Sequence, residues 1–142
     1  SIFMYNRTMT IEEFEQIVDE GFERLPEWVR LKIKNVALLV EDVPSEEDRQ
    51  LQGLTDDETL LGLYKGVPLS ERGSDYGEGF VMPDTITLYR EPILEAAAED
   101  RLDVRDVVAD TIWHEFAHHF GIDEDGVAKL EEERGIGDFR IQ

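Results

Sequence analysis

The chain has no cysteine. That excludes a disulfide framework and a thiolate metal site. Histidine is nearly as scarce: the three residues His114, His118 and His119 all fall within one short stretch. Any transition metal bound through nitrogen is therefore bound there. Basic residues are few, with 14 Lys and Arg against 34 Asp and Glu and a net charge of −20. Such a surface repels phosphates, which argues against nucleic acid and against anionic membranes as partners. No apolar run approaches the roughly 18 residues of a membrane span. The first residues, Ser1 to Arg7, lack the basic-then-apolar layout of a signal peptide, so a cytoplasmic location is expected. Methionine does not occur after Met82. The methionine turn of one large group of HExxH enzymes is thus absent.

What is present is a hydrophobic fraction of 41% over 142 residues. This is enough for a real core, and the length suits a single domain, 1–142. The excess of acid favours solubility and, at most, a basic peptide or protein partner.

The informative stretch is Trp113-His114-Glu115-Phe116-Ala117-His118-His119-Phe120-Gly121-Ile122-Asp123-Glu124-Asp125. It contains HExxH. Residues four apart on a helix lie one above the other, about 5–6 Å between Cβ atoms. His114 and His118 can then each place a nitrogen about 2.0–2.1 Å from one zinc ion. Glu115 lies about 100° round the helix from His114, beside the metal, where it can take a proton from an activated water. His119 points about 140° away from His114 by the same period and is discounted as a ligand.

A catalytic zinc site needs a third protein ligand and an open position. With no cysteine and no distant histidine, that ligand is expected to be a carboxylate. Gly121 can end the helix in a left-handed turn and fold the chain back. Glu124 is the first choice, giving HExxHxxGxxE. Asp123, Asp125, Glu131 and Glu132 compete with it. The plainer reading of Asp123-Glu124-Asp125 is a set of acidic residues at the start of a following helix, favoured by its dipole. Asp110, four residues before His114, is either an acceptor that orients that imidazole or an exposed helix carboxylate.

The rest of the chain reads as α+β. Thr10-Ile11-Glu12-Glu13 is a capping box with Met9 and Phe14 as a hydrophobic staple, opening a helix to about Leu25. A short second helix is expected from Pro26 to about Lys32. Three strands follow the patterns of Val36–Val40, Leu60–Tyr64 and Thr85–Tyr89. Within the second, Gly62 weakens the strand or marks a close backbone approach. Ser45 to Gln52 is a loop or surface helix. Gly66 to Gly79 is irregular, and Pro92 is expected to open a helix through Ala98. Asp103 can cap the motif helix, which is apolar nearly all round and therefore central and buried. A last helix is expected over Glu124 to Arg134.

The segments HEFAHHFGIDED, LLGLYKGVPLSERG and ITLYREPIL resemble the small bacterial zincin-like metallopeptidase family, over roughly Thr10 to Leu130. The family usually carries Asp ten residues after the first histidine; here Glu124 stands there between two Asp. The resemblance implies a minimal zincin-like fold, a small three-stranded sheet packed against helices with a central HExxH helix. It also implies a zinc-dependent metallopeptidase acting on a peptide or protein substrate. The expected ligands are His114, His118 and Glu124, and a zinc-activated water attacks the peptide bond with Glu115 as general base. Tyr89, Arg90 and Tyr76 are candidates for a second oxyanion donor. The substrate is expected as an extended strand on a sheet edge, taken to be Thr85–Tyr89. Two classes compete: a metal-binding regulatory or interaction protein that cleaves nothing, and a hydrolase acting on a non-peptide amide or ester.

Overall fold

The architecture comes from a computed structural model that describes residues 9–66 and 83–119. The chain is α+β. Helix α1 (Ile11–Glu23) and a short α2 (Glu27–Lys32) precede β1 (Ala37–Glu41), and α3 (Glu46–Leu51) leads to β2 (Gly62–Lys65). Strand β3 (Thr85–Tyr89) runs directly into α4 (Arg90–Asp100), and α5 (Val104–His119) carries the histidine motif.

Helix α1 begins where its capping box closes. The Thr10 hydroxyl accepts from the Glu13 N–H at 3.1 Å, and the Glu13 carboxylate accepts from the Thr10 N–H at 3.0 Å. Two of the orphan donors of the first turn are thereby satisfied. Its buried stripe is Phe14, Ile17, Val18 and Gly21, at helical spacing, and it packs along α5. The two helices come closest at Gly21. A Cβ there would sit 2.7 Å from Val108 Cγ1 and 2.9 Å from the Arg105 carbonyl oxygen. Gly21→Ala should therefore destabilise the fold by about 1–3 kcal/mol through overpacking. That outweighs the ~1 kcal/mol that alanine gains in helix propensity. A urea midpoint equal to or above that of the wild type would contradict this packing.

The sheet is mixed, in the order β1-β3-β2. β1 lies parallel to β3 with Ala37 opposite Thr85, and β2 lies antiparallel with Gly62 opposite Leu88. β3 is therefore central, with both backbone edges already paired. This overturns the expectation that Thr85–Tyr89 receives a substrate strand, because its N–H and C=O groups are spent on its neighbours. The edge nearest the motif helix is β2.

Boundaries also differ from the sequence reading, most of all in β2 and α4. β2 starts at Gly62, so Leu60 and Leu61 precede it. Helix α4 starts at Arg90, immediately after Tyr89, and Pro92 sits within its first turn, where the missing N–H has no helical partner to lose. Ser45 to Gln52 resolves as α3, capped by the Ser45 hydroxyl on the Asp48 N–H at 3.0 Å.

Helix α5 is the centre of the core. Asp103 caps its start, accepting from the Arg105 N–H at 2.9 Å. Val107, Val108, Ile112, Trp113, Phe116 and Ala117 are buried against α1, β3 and α4. Trp113 is 1% exposed and meets Trp28 edge-on, with centroids 5.6 Å apart. Among the described residues no helix is long and apolar enough to cross a membrane.

Candidate metal centre

Asp110, His114 and His118 follow one another at four-residue spacing along α5, so they lie on one stripe of the helix. Burial on the remaining faces fixes the rotation of the helix, and this stripe is what it turns toward an opening. The opening is a cleft of about 410 Å³ lined by Thr59, Leu60, Leu61 and Gly62 on one wall. Asp110, Thr111, His114, Glu115 and His118 form the other. The motif residues thus face a space that a ligand can enter.

The two imidazoles are near enough to share an ion. Their centroids lie 6.1 Å apart at 67°. Zinc–nitrogen bonds of about 2.0–2.1 Å place an ion about 3.2 Å from each ring centre, so one cation spans this gap. The residues present therefore fit the metal that HExxH implies. Among the described residues no group of three or more His, Asp or Glu is arranged to hold a metal ion. Glu124, the expected third ligand, lies outside the described residues, as do Gly121, Asp123, Asp125, Glu131 and Glu132.

Glu115 is held by a contact that the sequence did not reveal. The backbone N–H of Tyr64 on β2 donates to its Oε1 at 3.1 Å, across 51 residues of sequence. Burial pushes the Glu115 carboxyl above the ordinary carboxylate range, while the Tyr64 N–H and the two imidazoles pull the other way. A carboxylate raised in this way is a better proton acceptor near neutral pH than a free one.

β2 can approach so closely because residue 62 is glycine. A Cβ at Gly62 would stand 2.7 Å from Thr111 Cγ2 and 3.0 Å from the Thr87 carbonyl oxygen. The glycine in that strand pattern was the one visible signal of the approach. Next to it, the ring of Tyr64 stacks on His119 with centroids 3.8 Å apart and 18° between planes. The Tyr64 hydroxyl donates to Asp84 at 2.7 Å. His119 is thus engaged with β2 through Tyr64, on the face that Gly62 turns to the motif helix.

Asp110 is not an exposed helix carboxylate. It is 6% exposed, and its Oδ1 lies 3.3 Å from His114 Nε2. The two described candidates for a second oxyanion donor do not reach the cleft. Tyr89 is fully buried and, by burial and then by the charges of Asp48, Glu41 and Glu115, its hydroxyl is pushed up to about 12. Arg90 is committed to Asp42 at 2.7 Å and to the Met9 carbonyl at 3.1 Å. Tyr76 lies outside the described residues.

The family described as zincin-like metallopeptidase matches this chain over residues 33–134, from the end of α2 through the motif helix. The match takes in β1, the cleft wall, β2, β3 and every motif residue, and the chain belongs to that family. No curated protein matches it.

Proposed function

We propose that this zincin-like metallopeptidase is an active zinc-dependent peptidase, with His114, His118 and Glu124 as ligands and Glu115 as general base. The observation that carries the reading is Glu115 itself. A site that only holds metal has no use for a buried carboxylate beside the histidines, pinned by a backbone N–H and open to a cleft.

Zinc, when bound, polarises the scissile carbonyl and lowers the pKa of an attacking water toward about 7. The remaining work falls to the chain. Glu115 takes the proton of that water and returns it to the leaving amine. Tyr64 N–H keeps the carboxylate in one rotamer for both transfers. Leu60 and Leu61 exclude water along the wall of the cleft.

The substrate is read as an extended peptide laid along the outer edge of β2. The Tyr89 N–H donates to the Leu61 carbonyl, so Leu61 and Leu63 turn their backbone groups to β3. By the alternation of an antiparallel pair, Gly62 and Tyr64 turn theirs away from it. Gly62 lines the cleft, so a peptide strand there would pair through its backbone. The charge of −20 supports a peptide or protein partner and opposes nucleic acid and membrane surfaces.

Zinc content and hydrolysis of a mixed peptide library, read by mass spectrometry, test the reading together. One zinc per chain is expected, with cleavage stopped by a chelator and restored by added zinc. Zinc uptake without cleavage of any peptide would leave a metal-binding regulatory protein in its place.

A further inference from the structure

The outer edge of β2 offers a peptide fewer hydrogen-bonding groups than its four residues suggest. Leu63 and Lys65 turn their backbone groups to β3, and Gly62 and Tyr64 turn theirs outward. Along that edge the order is Gly62 N–H, Gly62 C=O, then Tyr64 N–H. The third of these is spent, since Tyr64 N–H donates to Glu115 Oε1 at 3.1 Å. The carboxylate oxygen stands where the carbonyl of a passing peptide would have to lie. Gly62 lines the cleft, and among the described residues no backbone hydrogen bond outside the ladder reaches it. The walls beside it compete little. Leu60 and Leu61 carry no side-chain donor, and the Thr111 hydroxyl is committed to the Val107 carbonyl at 2.7 Å.

We infer that β2 reads its substrate on one side of the scissile bond only, through the backbone of a single residue, Gly62. The inference deepens the proposed function and rests on it. One residue has one donor and one acceptor. Whichever way the peptide runs, one substrate C=O and one substrate N–H are therefore recognised. On the Thr59 side of Gly62 the cleft wall continues through Leu61 and Leu60. On the other side Glu115, the base that serves the reacting bond, closes the edge. The ladder stops where the chemistry starts, and the chain beyond the scissile bond leaves β2 unpaired. The substrate class that fits is a peptide segment free of its own secondary structure on one side of the cut. β2 selects no side chain there. It refuses proline at the one position whose N–H is used, because proline has none.

The test takes a peptide that the wild type cleaves and replaces its amides by esters, one at a time, leaving the scissile amide intact. An ester removes the N–H without adding bulk. For each peptide, kcat/KM of the zinc-loaded wild type and Kd for the zinc-loaded Glu115→Gln protein are measured. One position is expected to respond, with both quantities worse by about 3–10-fold, the worth of one hydrogen bond. Proline at that position should reproduce the loss. Losses at more than one ester position, or at none, overturn the reading through Gly62 while leaving the peptidase standing. A wild type that cleaves no peptide overturns the proposed function and this inference with it.

Discussion

Glu115→Gln is expected to abolish peptide hydrolysis, keep zinc bound, and make the metal-free protein more stable at neutral pH. Glutamine has the shape of glutamate and retains an acceptor for the Tyr64 N–H, which now meets Oε1 at 3.1 Å. What it loses is the ability to take a proton. Positioned general bases are worth about 10²–10⁴-fold, and the drop in kcat/KM should fall in that range. Zinc content should not change, since neither imidazole is altered. The stability prediction follows from the raised pKa. The folded protein binds the Glu115 proton more tightly than the unfolded chain does, for which the ordinary value is 4.5. Stability associated with this group is therefore present below about pH 4.5 and is lost as pH rises through the higher folded value. At pH 7 the wild type carries the full cost of a desolvated charge, and glutamine removes it. Thermal midpoints of the metal-free proteins should differ in favour of Glu115→Gln at pH 7 and converge near pH 4. Undiminished cleavage by this variant would remove Glu115 from the mechanism, and a lower midpoint at pH 7 would mean that its burial is not costly.

The helix and its chemistry were legible because both are local. HExxH is a statement about spacing on one helix. Asp103, the capping box at Thr10 and the apolar surround of α5 are likewise read from neighbours within a few residues. The sheet was legible strand by strand but not as an arrangement. The alternation in Thr85–Tyr89 marks a strand equally well at a centre or an edge, and pairing partners 20 to 50 residues away decide which it is. The hand that holds Glu115 was invisible for another reason: it is a backbone N–H, and every residue except proline has one. Only Gly62 hinted that a strand comes so near the helix. Asp110 lay between two readings because spacing puts it on the histidine stripe without saying whether that stripe is wet or dry there. Its burial, set by the wall of β2 and the packing of α5, excludes the exposed carboxylate.

His118 and His119 are adjacent and identical in chemistry, so they offer a matched pair of substitutions with opposite expected results. His118 lines the cleft beside His114. His119 does not line it and is stacked on Tyr64 at 3.8 Å, with Tyr64 in turn tied to Asp84. His118→Ala removes one of three proposed ligands. Zinc peptides draw about 10–16 kcal/mol from their ligand sets, so a third of that is about 3–5 kcal/mol, or roughly 10²–10⁴-fold in affinity. His119→Ala should leave zinc affinity within about threefold, because no contact to the ion is removed. Its effect belongs to the fold: an aromatic stack is worth about 0.5–1.5 kcal/mol, and its loss should lower the unfolding free energy by that amount, read as a lower urea midpoint. Activity of the zinc-loaded His119→Ala protein should fall modestly as well, since a looser Tyr64 holds Glu115 less firmly through its N–H. Zinc competition and urea unfolding of the two proteins thus separate a ligand from a buttress. If His119→Ala loses zinc as severely as His118→Ala, the second imidazole of the site is the wrong one, and the stacking on Tyr64 describes a pose that metal displaces.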